Sequence, residues 1–168
     1  MSEIEVVRAG ESDIPFIVAT ERRPGFETLV GRWEAAQHAE AMTEPRYAYF
    51  LARAMEDGRE PMPLGFALLR DWDAPERSTL LKRIAVAEPG RGHGTALLNG
   101  LIERVFTETQ AHRLSLGLFP HNLRARRAYE SVGFQAEGIS RGSAFVGGEH
   151  HDELVMAILR PDWLARRT

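Results

Sequence analysis

The sequence predicts a single α/β domain over residues 1–168, a mixed α+β sheet with parallel strands at its centre and helices on its flanks. Three observations point there. Strand and helix patterns alternate through the middle of the chain, and hairpin-like strand pairs lie toward either end. At 168 residues with 43% apolar side chains, one hydrophobic core is affordable without staples.

Taken in order, residues 4–8 (IEVVR) read as a first strand, with Ser12 and Asp13 as cap candidates for a helix through Thr20. The run Arg22-Arg23-Pro24-Gly25 breaks that helix, and residues 29–42 form a second helical stretch. Residues 47–53 and 63–70 read as strands separated by the polar turn Glu56-Asp57-Gly58. Residues 80–86 are another strand, ended by Glu88-Pro89-Gly90. The strongest helix is 95–109, where Leu97, Leu98, Leu101, Ile102, Val105 and Phe106 fall on one face. Residues 114–119 are a strand and 122–131 a helix, with Gly133 as its left-handed stop. Residues 134–139 and 153–159 read as closing strands.

Composition removes several classes of function. A net charge of -3 speaks against a nucleic-acid binder, although Arg124, Arg126 and Arg127 cluster locally. Apolar runs such as 154–159 are too short to span a bilayer, so no membrane association is expected. Without cysteine there is no disulfide, thiolate metal site or cysteine nucleophile. The opening residues are acidic and polar rather than leader-like, and the expected compartment is the cytoplasm. The run His150-His151-Asp152 invites a metal, but neighbouring residues on a strand point to opposite faces. No metal is expected.

Chemistry concentrates between Lys82 and Phe134. The strand residues Ile84, Ala85 and Val86 lead through a turn into Arg91-Gly92-His93-Gly94-Thr95-Ala96-Leu97 at the start of a helix. Two glycines remove side chains from the approach to backbone N–H groups, and the helix start adds unpaired donors and positive dipole. This is a general anion cradle. A Walker loop fails because Thr95 and Ala96 follow Gly94, and the dinucleotide fingerprint lacks its third glycine. A ligand-free glycine turn remains compatible with this segment alone. Further on, Asn122, Ala125 and Tyr129 stand at i, i+3 and i+7 on one helical face. Small Ala125 leaves room for a ligand chain between two polar groups, while a half-buried core tyrosine is the alternative.

Together Arg91-x-x-Gly94-x-Ala96 and Asn122-x-x-Ala125-x-x-x-Tyr129-x-x-x-Gly133-Phe134 resemble the GNAT superfamily of acetyl-CoA-dependent N-acetyltransferases, with ribosomal-protein N-terminal and polyamine acetyltransferases as the nearest look-alikes. The resemblance implies that Ile84, Ala85 and Val86 pair with the pantetheine arm and polarise the thioester carbonyl. It implies that the amides of Gly92, His93, Gly94, Thr95, Ala96 and Leu97 hold the pyrophosphate, with Arg91 lending charge. Asn122 would bond pantetheine or adjoining backbone, and Tyr129 would protonate the departing thiolate. Acetyl-CoA as co-substrate and an amine acceptor, a small molecule or a protein N-terminus, are the implied partners, and a homodimer is left open. A coenzyme A-binding module that has lost transfer is the competing reading.

The general base is not evident. A lysine-like amine has a pKa of about 10.4, so freeing it at pH 7 costs about 4.6 kcal/mol. Ribosomal alanine acetyltransferases carry a glutamate where this chain has Gly117, leaving Glu34, His38, His121 and Glu130 as candidates. Phe26, Trp33 and Trp72 are candidates for an acceptor pocket.

Overall fold

The computed structural model describes residues 2–23 and 32–168. Its strands are β1 (Glu3–Arg8), β2 (Tyr47–Met55), β3 (Met62–Arg70), β4 (Ser78–Val86), β5 (Arg113–Leu118), β6 (Gln135–Val146) and β7 (Glu149–Leu159). Its helices are α1 (Ile14–Glu21), α2 (Ala35–Met42), α3 (His93–Glu108), α4 (Leu123–Ser131) and α5 (Arg160–Arg166). The strands form one mixed sheet in the order β1-β2-β3-β4-β5-β7-β6. Its parallel centre is narrower than the alternating pattern suggested. Only β4 and β5, joined through α3, run parallel; every other neighbouring pair is antiparallel.

Two cores cover the two faces of the sheet. On one face α3 buries Leu97, Leu98, Leu101, Ile102, Val105 and Phe106 against Phe50, Leu69, Leu114 and Met156. This is the apolar stripe expected from its spacing. On the other face Ile17 of α1 and Ala41 of α2 meet Tyr49, Leu51, Phe66, Leu68 and Ala85. Being covered twice, β2 and β3 are buried along most of their length, which explains their nearly unbroken apolar runs. A bulge interrupts β4: Leu68 pairs with Arg83 and Leu69 with Leu81, so Lys82 is the extra residue.

Several boundaries differ from expectation. A short 3-10 turn, Glu11–Asp13, precedes α1, and the Asp13 carboxylate accepts the Gly10 N–H at 2.9 Å. Within the described part of the helix expected over 29–42, α2 is helical and residues 32–34 are not, while 24–31, with Pro24, Gly25 and Phe26, lie outside the described residues. The closing strands are much longer than 134–139 and 153–159. They continue to a two-residue turn at Gly147-Gly148, both with positive φ. Their outer half is exposed on both sides and lacks the alternation that marks a half-buried strand. Beyond the expected elements the chain adds α5, which begins Arg160-Pro161-Asp162, with Asp162 accepting the Leu159 N–H at 3.1 Å. Among the described residues no helix is long and apolar enough to cross a membrane.

Arg160 ties this last helix to the core. Its guanidinium donates to Ala111 O at 2.9 Å, Phe106 O at 2.8 Å and Thr109 O at 3.0 Å, satisfying carbonyls at and beyond the C-terminal end of α3. Replacing it with alanine leaves these acceptors without their cation. Arg160→Ala is expected to destabilise the fold by about 2–3 kcal/mol, measured as a lower urea midpoint at unchanged m-value.

Candidate active site

β4 and β5 share only three register pairs, Ser78–Arg113, Thr79–Leu114 and Leu80–Ser115, and then part. Beyond them the edge of β4 that faces β5 has no partner strand. A cleft of about 390 Å³ opens there, within the range of small-molecule sites. Ile84, Ala85 and Val86 form its β4 wall, and Pro89, Gly90 and Gly92 of the following loop close one end. Gly94, Thr95 and Leu98 of α3 and Asn122, Arg124, Ala125, Ala128 and Tyr129 from the α4 segment complete it.

The loop meets the requirements of an anion cradle. Gly92 is the N-cap of α3 in the left-handed region, φ 80°, with no side-chain cap. The Ala96 N–H closes on Gly92 O at 3.1 Å, so the N–H groups of His93, Gly94 and Thr95 have no carbonyl within the helix. A Cβ added at Gly94 would meet only Val86 Cγ1, at 4.0 Å, and one at Gly92 nothing within 4 Å. That open space fits a bound diphosphate.

The flanking side chains behave differently. Arg91 turns outward, 69% exposed, beside Glu88 at 3.6 Å, and does not line the cleft. Its position in the motif is shared, but the cation lining the cleft is Arg124, whose Nη2 stands 3.5 Å from where a Gly90 Cβ would be. Leu97 is wholly buried in the core, so only its backbone could serve a ligand; Ala96 and His93 also stay off the lining, and His93 Nδ1 is buried without a partner. Pro89, Leu98 and Ala128 were missed because nothing local distinguishes a lining residue from a packed one.

Asn122 caps α4, its Oδ1 accepting the Ala125 N–H at 3.2 Å, which leaves the two amide hydrogens available. Tyr129, two turns on, is half-buried, and its ring meets Phe134 edge-on at 5.8 Å. Its hydroxyl has no hydrogen-bond partner among the described residues. Burial pushes this phenol up to about 12, so it carries its proton at any physiological pH.

On the opposite face of the sheet a buried polar cluster lies against β4. Glu21 and His38 are both inaccessible, with His38 Nε2 paired to Glu21 Oε1 and His38 Nδ1 2.7 Å from the Tyr49 hydroxyl. Glu21 Oε2 accepts the Trp33 N–H at 2.9 Å, and Arg83 Nη1 lies 3.5 Å from Glu21 while its guanidinium covers the Trp33 ring. Burial lowers the Arg83 pKa and the Glu21 charge pulls it back up. His38 is thus locked into the fold rather than open to an acceptor.

The other base candidates are also engaged. Glu34 is exposed and pairs with Arg22, Glu130 pairs with Arg126 at 2.9 Å, and His121 stacks on Phe119. None of the four lines the cleft. Trp72 packs on Phe50 beneath Arg8 instead of framing a pocket, and Phe26 lies outside the described residues. His150 and His151 diverge toward Phe145 and Phe119, while Asp152 accepts the Gly142 N–H at 2.8 Å and serves the hairpin. Among the described residues no three His, Asp or Glu side chains converge as metal ligands would.

Known proteins resemble this chain in sequence and in fold. Over 76 residues the chain is 37% identical to the probable N-acetyltransferase YjcK of Bacillus subtilis (strain 168), covering 45% of this chain and 42% of that protein. Over 80 residues it is 32% identical to the putative ribosomal N-acetyltransferase YdaF of the same organism, covering 48% and 44%. The matched stretches therefore span less than half the length of these relatives. The fold is that of the Vibrio cholerae spermidine N-acetyltransferase solved with CoA and spermine, at a TM-score of 0.81, 20% identity and coverage of 96% and 98%. The sequence profile of the Acetyltransferase (GNAT) family matches residues 16–134, which take in the cleft, the glycine loop and Tyr129, and the chain belongs to that family.

Proposed function

We propose that this protein transfers an acetyl group from acetyl-CoA to a primary amine, on a small molecule or at a protein N-terminus. The observation that carries the reading is the cleft itself, an edge of β4 without a partner strand, running into the uncapped N-terminus of α3; of its carbonyls, Val86 O accepts from Arg23 Nη1 at 2.7 Å. Backbone groups of Ile84, Ala85 and Val86 hold the pantetheine amides as an added strand would, and one N–H polarises the thioester carbonyl. The amides of His93, Gly94 and Thr95 take the pyrophosphate, with Arg124 supplying charge. Asn122 donates to the pantetheine arm. Tyr129 supplies a proton to the departing sulfur. Release of thiol from acetyl-CoA with a panel of spermidine, kanamycin and an alanine-initiated peptide tests the activity; binding of coenzyme A without release from any of them would leave a binding module.

The cradle has a direct test. Gly94→Val introduces a branched side chain where the free protein has open space, so folding is untouched and the diphosphate is obstructed. Acetyl-CoA affinity is expected to fall tenfold or more, about 1.4 kcal/mol, in calorimetric titration with an unchanged melting temperature of the free protein.

For the acid, Tyr129→Phe removes only a hydroxyl whose ring stays packed on Phe134. The expected result is a drop in kcat of about 10²-fold or more with little change in KM for acetyl-CoA. Because the phenol sits near 12, no alkaline loss of activity between pH 6 and 10 is expected from it. A folded variant with normal kcat would remove Tyr129 from the mechanism.

A further inference from the structure

Gly117 stands on β5 two residues beyond Ser115, where β5 has already left β4. Its neighbours Leu116 and Leu118 and the facing Leu154 and Met156 are buried in the α3-side core. By the two-residue period of a strand, Gly117 and Glu153 face the other way, toward the side of the sheet that carries Arg83 and Trp33. A Cβ on Gly117 would collide with Glu153 Oε2 and come within 3.0 Å of its Cδ. The glycine is what lets this carboxylate lie across β5 at the opening. Glu153 Oε1 accepts the Ser143 hydroxyl at 2.9 Å, whereas Oε2 has no donor and Glu153 no salt bridge among the described residues. Lys82, at the β4 bulge, feels the Glu153 charge from across the gap. The carboxylate is thus oriented by one oxygen and free at the other; it stands outside the cleft lining, on the Lys82 side of the gap, and the first cleft-lining residue of β4, Ile84, is two residues beyond Lys82.

We propose that Glu153 is the catalytic base of the acetyl transfer, binding the acceptor's ammonium group through Oε2 and removing its first proton. The inference rests on the transferase reading above. The ammonium passes one proton to Glu153, which releases it to solvent. The freed nitrogen pair forms the C–N bond to the thioester carbon as the carbonyl pair moves to oxygen. When that pair returns, the C–S bond breaks, and the sulfur keeps its electrons and takes a proton from Tyr129. The second nitrogen proton restores the phenol through solvent. Acetyl-CoA and an ammonium ion thus give an amide, coenzyme A thiol and one proton.

An acceptor that is already neutral needs no first deprotonation. This separates a base from a merely structural residue. The test compares Glu153→Gln, Glu153→Asp and Gly117→Ala with the unaltered protein, using the best amine of the panel above and hydroxylamine, which is neutral at pH 7, with the uncatalysed rate subtracted. For the ordinary amine, kcat/KM is expected to fall 10²-fold or more in Glu153→Gln. It should fall about tenfold in Gly117→Ala, whose methyl group displaces the flexible carboxylate, and recover when Glu153→Asp is combined with it. Hydroxylamine turnover and acetyl-CoA affinity should change less than threefold in all. An equal loss with both acceptors, or near-normal turnover of the ordinary amine by folded Glu153→Gln, overturns the assignment while leaving the transferase reading intact. Absence of any turnover by the unaltered protein overturns both.

Discussion

After Leu80 and Ser115 two parallel strands stop sharing hydrogen bonds, although each remains held on its outer side, β4 by β3 and β5 by β7. Backbone donors and acceptors at such a parting must be satisfied by something other than the sheet. The bulge at Lys82 turns β4 where the strands diverge, and α3 leaves the loop at the open end of the gap. One local departure from regular pairing therefore leaves a strand edge without a partner strand and sets the direction from which a ligand could pair with it. It also places the free N–H groups of a helix at that ligand's far end.

The charged cluster against β4 carries its own energetic logic. Glu21, His38 and Arg83 are a costly combination to bury, because each group loses its hydration and is compensated only if its partners are well placed. Here the carboxylate is shared among the His38 ring, the Trp33 N–H and Arg83, and the remaining histidine nitrogen meets Tyr49. Removing one partner would strand the others, at a cost of about 3–5 kcal/mol for such a pair. A cluster under that constraint holds Arg83, and with it the stretch of β4 that follows the bulge, in one position. The adjoining Ile84–Val86 edge gains preorganisation from charges that never touch the cleft.

The local placement of residues was legible in the sequence and distant juxtaposition was not. Gly92, Gly94, Asn122 and Tyr129 could be read because each depends on backbone geometry within a turn or two of itself, and all four line one cleft. Arg91 and Arg124 illustrate the limit: motif position favoured the first, but side-chain direction brings the second to the lining. The histidine pair, expected from strand geometry to diverge, packs on Phe145 and Phe119 of different segments. His38 looked like an accessible base and is sealed by three neighbours from different elements. Gly117 reads in the sequence only as a missing carboxylate. That Glu153 lies over it depends on the register of β5 with β7, which no local pattern encodes.

The energetics of the proposed acid also constrain the reaction. A thiol has a reference pKa of about 8.5, and the Tyr129 phenol lies near 12, so a complete proton transfer to a free thiolate is uphill by about 5 kcal/mol. Burial of the hydroxyl is the cause. The mismatch is tolerable only if the phenol oxygen is resupplied as the sulfur takes its proton. The acceptor nitrogen can provide that proton, since it becomes strongly acidic once bonded to the carbonyl carbon. In the proposed reaction Tyr129 would then work as a relay between nitrogen and sulfur, not as an acid of matched strength. Such a relay needs the nitrogen to arrive already neutral, which assigns the first deprotonation to a separate group on the far side of the gap.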